Sequence, residues 1–282
     1  MFSFFDADMK FVDRKMLNDK GLILLSGLFS PSGKHIAGFT MTIDQNAVGT
    51  VGGALLTRDL DVVKRFGEDK VELPTPQRMA EPAFWENYMA KWFRLAPDRQ
   101  CYFAFAPDGK VFQATNAAYE ITRYTAALQP ELTIIKEYKP ISVSGEEEAA
   151  FADAVHDEVL SSMTADIQSF ITEAKVAKAV ELADFPPRKP ALQGLVPMDD
   201  GGLLVISDYS VATRKAVADI FDAEGKFRGQ VALPPVSFNV FGSYFGFGPR
   251  MFFKKGKVYV MEEDENEEMS LVRYSYKLVE AS

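Results

Sequence analysis

The chain has 282 residues, of which 47% are hydrophobic, so it can bury a substantial core as one large β domain or as two smaller domains. Its formal charge of −9 argues against nucleic acid or an anionic membrane surface as the main partner, because both attract clustered Lys and Arg. No apolar run approaches the ~20 residues that cross a bilayer, and Asp6, Asp8 and Lys10 interrupt the opening stretch where a signal peptide has its apolar core. We therefore expect no transmembrane segment and no signal peptide in the sequence as given. The sequence does not identify the cellular compartment, and the periplasm and the cell exterior are among the alternatives.

Two kinds of hairpin alternate along the chain. The first kind has an apolar strand, a tight turn with Gly and a second β-prone strand, since Gly supplies the positive φ that such turns need. It occurs around residues 31–34, 107–110, 199–202 and 254–257. The second kind has a polar turn and an outgoing strand that ends in charged residues, and it covers residues 55–66, 121–138 and 218–229. The chain also opens on a unit of this second kind, at residues 2–14.

Two consecutive hairpins make a four-stranded antiparallel unit, and about four such units can be counted. Radial repetition of four-stranded units is how a β-propeller leaves only short, protected sheet edges. The sequence therefore predicts a mostly β protein, with residues 1–282 forming a single propeller domain. If the ring closes with few blades, we expect the hairpin of residues 2–14 to complete the C-terminal blade.

Helical insertions are predicted between the blades, at about residues 78–93 and 145–182. The first carries Trp85, Tyr88 and Trp92, which could anchor a partner or attach the insertion to the propeller. The second has apolar residues three or four apart, and Ser144 with Glu147 predicts a capping box at its start. We expect the longer insertion to lay its apolar stripe over a propeller face, as a lid or as a docking helix.

Several stretches make the chain similar to the bacterial six-bladed β-propellers related to NHL-repeat proteins. These are residues 5–12, 221–227, 186–192 leading into 198–205, and 252–276. The resemblance implies a fold and little about activity, because such propellers serve as binding platforms, lyases and lactone hydrolases. Relative to a six-bladed ring, the sequence looks N-terminally truncated or divergent, because about two units are missing.

A catalytic set is not apparent in the sequence. Cys101 is the only cysteine and lies in an apolar, β-like run, so we expect it to be a core residue. The two histidines, His35 and His156, follow a turn and lie on the second insertion, and we expect packing or surface roles for both. No Ser/His/Asp arrangement is supported by spacing. We therefore expect a protein that is not an enzyme.

A metal-dependent hydrolase of the lactonase kind is the main alternative. In that case a Ca²⁺ ion held by carboxylate and amide oxygens would polarise a carbonyl group. Candidate ligands near strand ends are Asn116, Asp208 and Asn239. The acidic run of residues 262–268 could also attract a cation, but consecutive like charges usually mark a solvated loop. No other cofactor is predicted.

An aromatic and Gly-rich segment offers a second binding surface. It spans residues 238–250, where an innermost strand should approach the central channel, and its candidate binding residues are Phe241, Tyr244, Phe245 and Arg250. Packing around the propeller axis explains the same residues. The leading hypothesis is a non-enzymatic propeller that binds a protein or a small molecule through its face and insertions. A structural subunit of a larger assembly is a further alternative.

Overall fold

The computed structural model describes residues 2–5, 10–15, 21–45, 48–74, 76–79, 81, 83–98, 101–115, 117–163, 171–233, 251–263 and 269–275. The chain opens with a hairpin of β1 (Phe2–Phe5) and β2 (Phe11–Lys15). Blade A follows and contains β3 (Leu22–Phe29), β4 (His35–Ile43), β5 (Val48–Thr57) and β6 (Val62–Glu72). Its four strands pair antiparallel in chain order.

Three further sheets follow the same plan. Blade B contains β7 (Cys101–Phe105), β8 (Val111–Thr115), β9 (Glu120–Tyr124) and β10 (Pro130–Ile135). Blade C contains β11 (Gly194–Pro197), β12 (Leu203–Tyr209), β13 (Ala216–Phe221) and β14 (Phe227–Leu233). Blade D contains β15 (Met251–Lys254), β16 (Lys257–Glu263) and β17 (Met269–Ser275). All neighbouring strands are antiparallel and consecutive in the sequence, so the predicted order of hairpins is confirmed.

The turns between the first and second strands are the four Gly turns that the sequence predicts. Gly33, Gly109, Gly201 and Gly256 all have positive φ, with values of 87° and 88° at Gly109 and Gly201. In blades B and C these glycines donate backbone hydrogen bonds to Ala106 and Met198, which close the turns. The local chemistry of the turn therefore determines where the first strand of each blade ends and the second begins.

The turns between the third and fourth strands share one geometry in blades A, B and C. Each begins at a residue with a side-chain oxygen, namely Thr57, Thr125 or Asp222, which accepts a hydrogen bond from the backbone N–H four residues on. The residue in between, at the fourth position, has positive φ and is Leu60, Leu128 or Gly225. This common turn explains why the sequence repeats a polar residue at the end of each third strand.

The sheets are arranged as the blades of a β-propeller. The first strands of successive blades contact one another, β3 with β7, β7 with β11 and β11 with β15. Apolar side chains are buried between blades A and B, between B and C and between C and D. Both features follow when meandering sheets pack face to face around an axis.

Blade D has three strands among the described residues. β17 pairs with β16, and β1 and β2 pair with each other and with no other described strand. The expected completion of blade D by the N-terminal hairpin is therefore not seen in this part of the chain.

The helices lie in the connections between blades. α1 (Pro76–Met79) and α2 (Phe84–Asp98) connect blade A to blade B, and α3 (Gly145–Ser162) and α4 (Glu173–Leu182) connect blade B to blade C. Both predicted helical insertions are confirmed, and the Ser144 side chain caps α3 by accepting from the Glu147 N–H. No helix in the described ranges is long and apolar enough to span a bilayer.

Candidate partner-binding surface

The aromatic residues of α2 form a strip along one side of that helix. At 100° per residue, Trp85, Tyr88 and Trp92 fall within a sector about 60° wide, and they span about 10 Å along the helix axis. All three side chains are half-buried. The strip borders the buried stripe of Met89, Ala90 and Phe93 on one flank, with the exposed residues Asn87 and Lys91 on the other.

The rings of the strip hold one another in place. Trp85 meets Tyr88 edge-on, with ring centroids 6.2 Å apart and planes at 89°. Tyr88 meets Trp92 in a similar way, at 6.3 Å and 69°, and stacks on Phe84 at 5.5 Å. The Trp92 indole also hydrogen-bonds to the Tyr88 oxygen, and since an indole can only donate, the phenol proton stays available for another acceptor. Burial nevertheless raises the pKa of Tyr88.

The three long helices share a core of their own. Met89 and Phe93 of α2 pack with Val155 and Val159 of α3 and with Val176 of α4. Trp85 lies against the same cluster, as do Phe151 and Phe185, whose rings meet edge-on at 5.0 Å. The apolar stripe of the longer insertion thus packs on other helices, and the expectation that it covers a propeller face is wrong. The result is a helical unit, formed by α2, α3 and α4, that presents the aromatic strip.

The insertion of α3 and α4 enters and leaves through a paired neck, formed by residues 141–143 and 187–189. The Val143 N–H donates to the Pro187 carbonyl at 3.0 Å, and the Lys189 N–H donates to the Ile141 carbonyl at 2.8 Å. The Lys189 side chain is 11% exposed, and its ammonium contacts Asp208 at 2.8 Å and Glu147 at 3.7 Å. Glu147 in turn accepts from the Ser210 hydroxyl and the Val211 N–H. These contacts tie the neck to the β12–β13 loop of blade C.

The same contacts decide what Asp208 does in this structure. In the hydrolase alternative Asp208 is a candidate Ca²⁺ ligand, and in this structure its carboxylate forms an ion pair with Lys189. Among the described residues, no group of three or more His, Cys, Asp or Glu side chains lies close enough together to hold a metal ion. The other two predicted ligands, Asn116 and Asn239, lie outside the described residues.

A buried polar network lies between blades B and C, and no motif in the sequence predicts it. Asp219 of β13 is 0% exposed. Its carboxylate accepts from the Tyr119 hydroxyl at 2.5 Å, the Lys136 ammonium at 2.6 Å and the Gln230 amide at 2.8 Å. Burial and the Asp219 carboxylate raise the pKa of Tyr119. The only sequence signal is an Asp within the otherwise apolar run of residues 216–221.

Both carboxylate oxygens of Asp219 accept hydrogen bonds, and Tyr119 and Lys136 donate from the neighbouring blade, which indicates a role in joining two blades. A second interblade contact resembles it. Lys64 of blade A donates to the Tyr124 hydroxyl at 2.8 Å, and its ammonium lies 5.2 Å from the Phe66 ring centroid and 4.8 Å from that of Tyr124. The chain thus repeatedly places a lysine against aromatic rings where two blades meet.

The remaining predicted residues have the following places. Phe241, Tyr244, Phe245 and Arg250 lie outside the described residues. Cys101 is 2% exposed in the core between blades A and B, and burial raises the pKa of its thiol to about 12, so the expected packing role is confirmed. His35 and His156 are half-buried, and His156 contacts the neighbouring Asp157.

Comparison with known proteins adds little to this description. No protein-family model matches the chain, and no curated protein matches it. Among solved structures the chain is similar to puromycin hydrolase, with a TM-score of 0.34 and 13% identity over 89% of this chain and 27% of that one. It is also similar to virginiamycin B lyase from Staphylococcus aureus, with a TM-score of 0.27 and 12% identity over 90% of this chain and 60% of that one. The chain thus spans about a quarter of the puromycin hydrolase chain, and the fold assignment rests on strand order and sheet packing.

Proposed function

We propose that the chain is a non-enzymatic β-propeller that binds a polypeptide partner through the aromatic strip of α2. The observation that carries this proposal is the position of Trp85, Tyr88 and Trp92, which are half-buried and lie in one sector beside the shared core of the helices. Large amphipathic rings dominate the binding energy of many interfaces, and rings that are already ordered lose little entropy on binding.

The rest of the structure supports a scaffold role for the blades. The neck attaches the helical unit to blade C, and polar contacts join blade B to blade C. A rigid support favours binding, because less conformational entropy is lost when the partner docks.

Affinity capture from the cells that produce the protein tests the proposal. The purified chain serves as bait beside the variant Tyr88→Ala/Trp92→Ala, which removes two rings and leaves Trp85 and the buried core residues in place. We expect the wild type to capture a specific polypeptide and the double variant to lose it, because truncating interface aromatics costs about 2 kcal/mol or more each. Circular dichroism verifies that the double variant is folded.

A matched control is available on blade D. Phe252 and Tyr259 stack on its exposed face, with centroids 5.0 Å apart and planes at 5°. The variant Phe252→Ala/Tyr259→Ala removes a similar aromatic area from a different surface, so it should keep the partner. Capture that survives the α2 variant would overturn the proposal.

A structural subunit of an assembly is the second candidate, because blade D exposes apolar area on the side away from blade C. Phe252 is 46% exposed and Leu271 is 58% exposed, whereas the opposite face of the same sheet is buried against blade C. β17 also has no described neighbour on its outer edge. Light scattering after size exclusion separates the two candidates, since an assembly that depends on this face should dissociate when Phe252 and Leu271 are replaced by Ser.

A relationship to the six-bladed propellers of the NHL-repeat kind is the finer proposal about the fold. Among the described residues, three blades with equivalent turns, a blade with three strands and a separate hairpin support it. An experimental structure that counts the blades tests it, and a ring that closes with fewer than six would refute it.

A further inference from the structure

The outer sheet face of blade D carries a row of aromatic and basic side chains. Phe252 of β15 pairs in register with Tyr259 of β16, and Tyr259 pairs with Arg273 of β17. Residues directly opposite each other in antiparallel strands share one face of a sheet, so the three lie side by side across about 10 Å. Phe253 and Val258, which alternate with them along the strands, are buried against blade C. The row therefore lies on the face that points away from blade C.

A second row on the same face is basic. Lys254 of β15 pairs with Lys257 of β16, and Lys255 lies in the turn that joins the two strands. Lys254 and Lys255 are exposed. Asp199 of blade C holds this turn, since its carboxylate accepts from the Gly256 N–H at 2.9 Å. The lysines are therefore presented by an ordered turn.

This part of blade D is basic although the whole chain carries −9. Residues 251–261 and 269–275 contain three lysines, one arginine and no carboxylate. Other cations of the chain pair with carboxylates, as Lys110, Arg123 and Arg228 do. Within the described ranges, none of the four cations of blade D forms an ion pair. The overall charge therefore does not describe the potential at this face.

The rings of the first row offer flat apolar surfaces beside these charges. Phe252 and Tyr259 are parallel, with centroids 5.0 Å apart and planes at 5°. Phe252 is 46% exposed, and Leu271, further along the same face, is 58% exposed. Proteins that bind single-stranded nucleic acid combine such features, because unpaired bases stack on aromatic rings while cations contact the phosphates.

Other occupants match only one of the two features. An acidic peptide would pair with the cations but would place no flat group on the rings. A second copy packed face to face would bring Lys254 and Arg273 close to the same cations of its partner, and like charges repel. Duplex nucleic acid keeps its bases paired and stacked inside the helix. A single strand offers both accessible bases and phosphates.

We propose that the outer face of blade D binds single-stranded nucleic acid. An unpaired base stacks on the exposed Phe252 ring, and Lys254, Lys257 and Arg273 contact the adjacent phosphates. Glu262 lies near the other end of β16, about 17 Å from Lys257 along the strand, so the phosphates are held at the turn end. This surface is separate from the aromatic strip of α2, and the inference goes beyond the function proposed above.

Fluorescence anisotropy tests the proposal with a labelled oligothymidylate of about twelve nucleotides, a length within the range of known single-strand sites. The comparison probe is an abasic strand of the same length, which keeps the phosphates and lacks the bases. We expect saturable binding that is at least about fivefold tighter for the oligothymidylate, because only this strand can stack. The logarithm of its affinity should fall with the logarithm of salt concentration with a slope of about −2, as about three phosphate contacts imply.

Two variants locate the binding. Phe252→Ala should weaken the oligothymidylate about fivefold or more and leave the abasic strand unchanged, since it removes a ring and no charge. Lys257→Ala should weaken both strands and reduce the salt slope by about 0.7. Lys34→Ala is the matched control, because Lys34 follows the turn glycine of blade A as Lys257 does in blade D, and it should change neither titration. Circular dichroism verifies that each variant is folded.

The proposal is overturned if the oligothymidylate does not bind, or if Phe252→Ala leaves the preference for bases intact. Equal affinity for the abasic strand or for a glutamate oligomer would also overturn it, because the face would then recognise charge alone. A dimer that Phe252→Ala dissociates would assign the face to a second copy and overturn it as well. Nuclease separates these outcomes from failure of the proposed function, since a polypeptide held by α2 survives nuclease treatment and one held through a nucleic acid on blade D does not.

Discussion

The network around Asp219 gives the sharpest test of how the blades are joined. Asp219→Ala removes a fully buried carboxylate and with it the acceptor for Tyr119, Lys136 and Gln230. Removing one partner of a buried ion pair costs about 3–5 kcal/mol. The Lys136 side chain is 26% exposed and Gln230 is exposed, so water can hydrate both groups in the variant. We therefore expect the free energy of unfolding to fall by about 3 kcal/mol, at the lower end of that range.

Urea unfolding, followed by far-ultraviolet circular dichroism, measures this loss. With a denaturant slope of about 3 kcal/mol per M, the midpoint should fall by about 1 M in Asp219→Ala. Asp219→Asn keeps a carbonyl acceptor and should lose about half as much. The control Glu181→Gln breaks an exposed pair with Lys178 and should shift the midpoint by less than about 0.3 M.

A double-mutant cycle with Lys136→Met separates the ion pair from packing effects. If the pair carries the effect, Asp219→Asn should cost less in the Lys136→Met background than in the wild type, by about 1–2 kcal/mol. Equal costs in both backgrounds, or an Asp219→Ala midpoint no lower than that of the exposed control, would refute the assignment.

Three further predictions concern other parts of the chain. The Cys101 thiol, with its pKa raised to about 12, should resist alkylation at pH 8 in the native state and react in urea. Burial of the neutral thiol should stabilise the fold below about pH 9, and this stabilisation should decline as the pH rises towards 12. Gly53→Ala should lower the unfolding free energy by about 1–3 kcal/mol, because its Cβ would lie 2.6 Å from the Cys101 sulfur. Lys189→Ala should loosen the neck and increase thermolysin cleavage within residues 139–190 about fivefold, whereas Lys178→Ala should not.

The blades could be predicted from the sequence because their determinants are local. Gly109 and Gly201 adopt positive φ within turns of a few residues, and Thr125 and Asp222 hydrogen-bond to backbone groups four residues away. Such interactions leave a pattern that can be recognised in any one repeat, so the number and order of hairpins follow from the sequence.

The site could be predicted only in part, because its determinants are distant in the sequence. Tyr119 and Asp219 are 100 residues apart, and no periodicity links them. Asp208 looks like a metal ligand in isolation, and only the fold places Lys189 against it. The apolar stripe with Val155 predicts a buried helix face but does not identify α2 as the element that covers it.

The neck has a consequence for how such a chain can vary. The 58 residues between β10 and β11 leave and rejoin the propeller at adjacent points, because Ser142 pairs with Arg188. The cost of closing this connection therefore depends little on how much polypeptide lies beyond the neck, since loop closure becomes only slightly more costly as a loop lengthens. Recombination can therefore exchange this segment for one of different length or specificity, provided that the new segment keeps Glu147 and the residues that pack on α2.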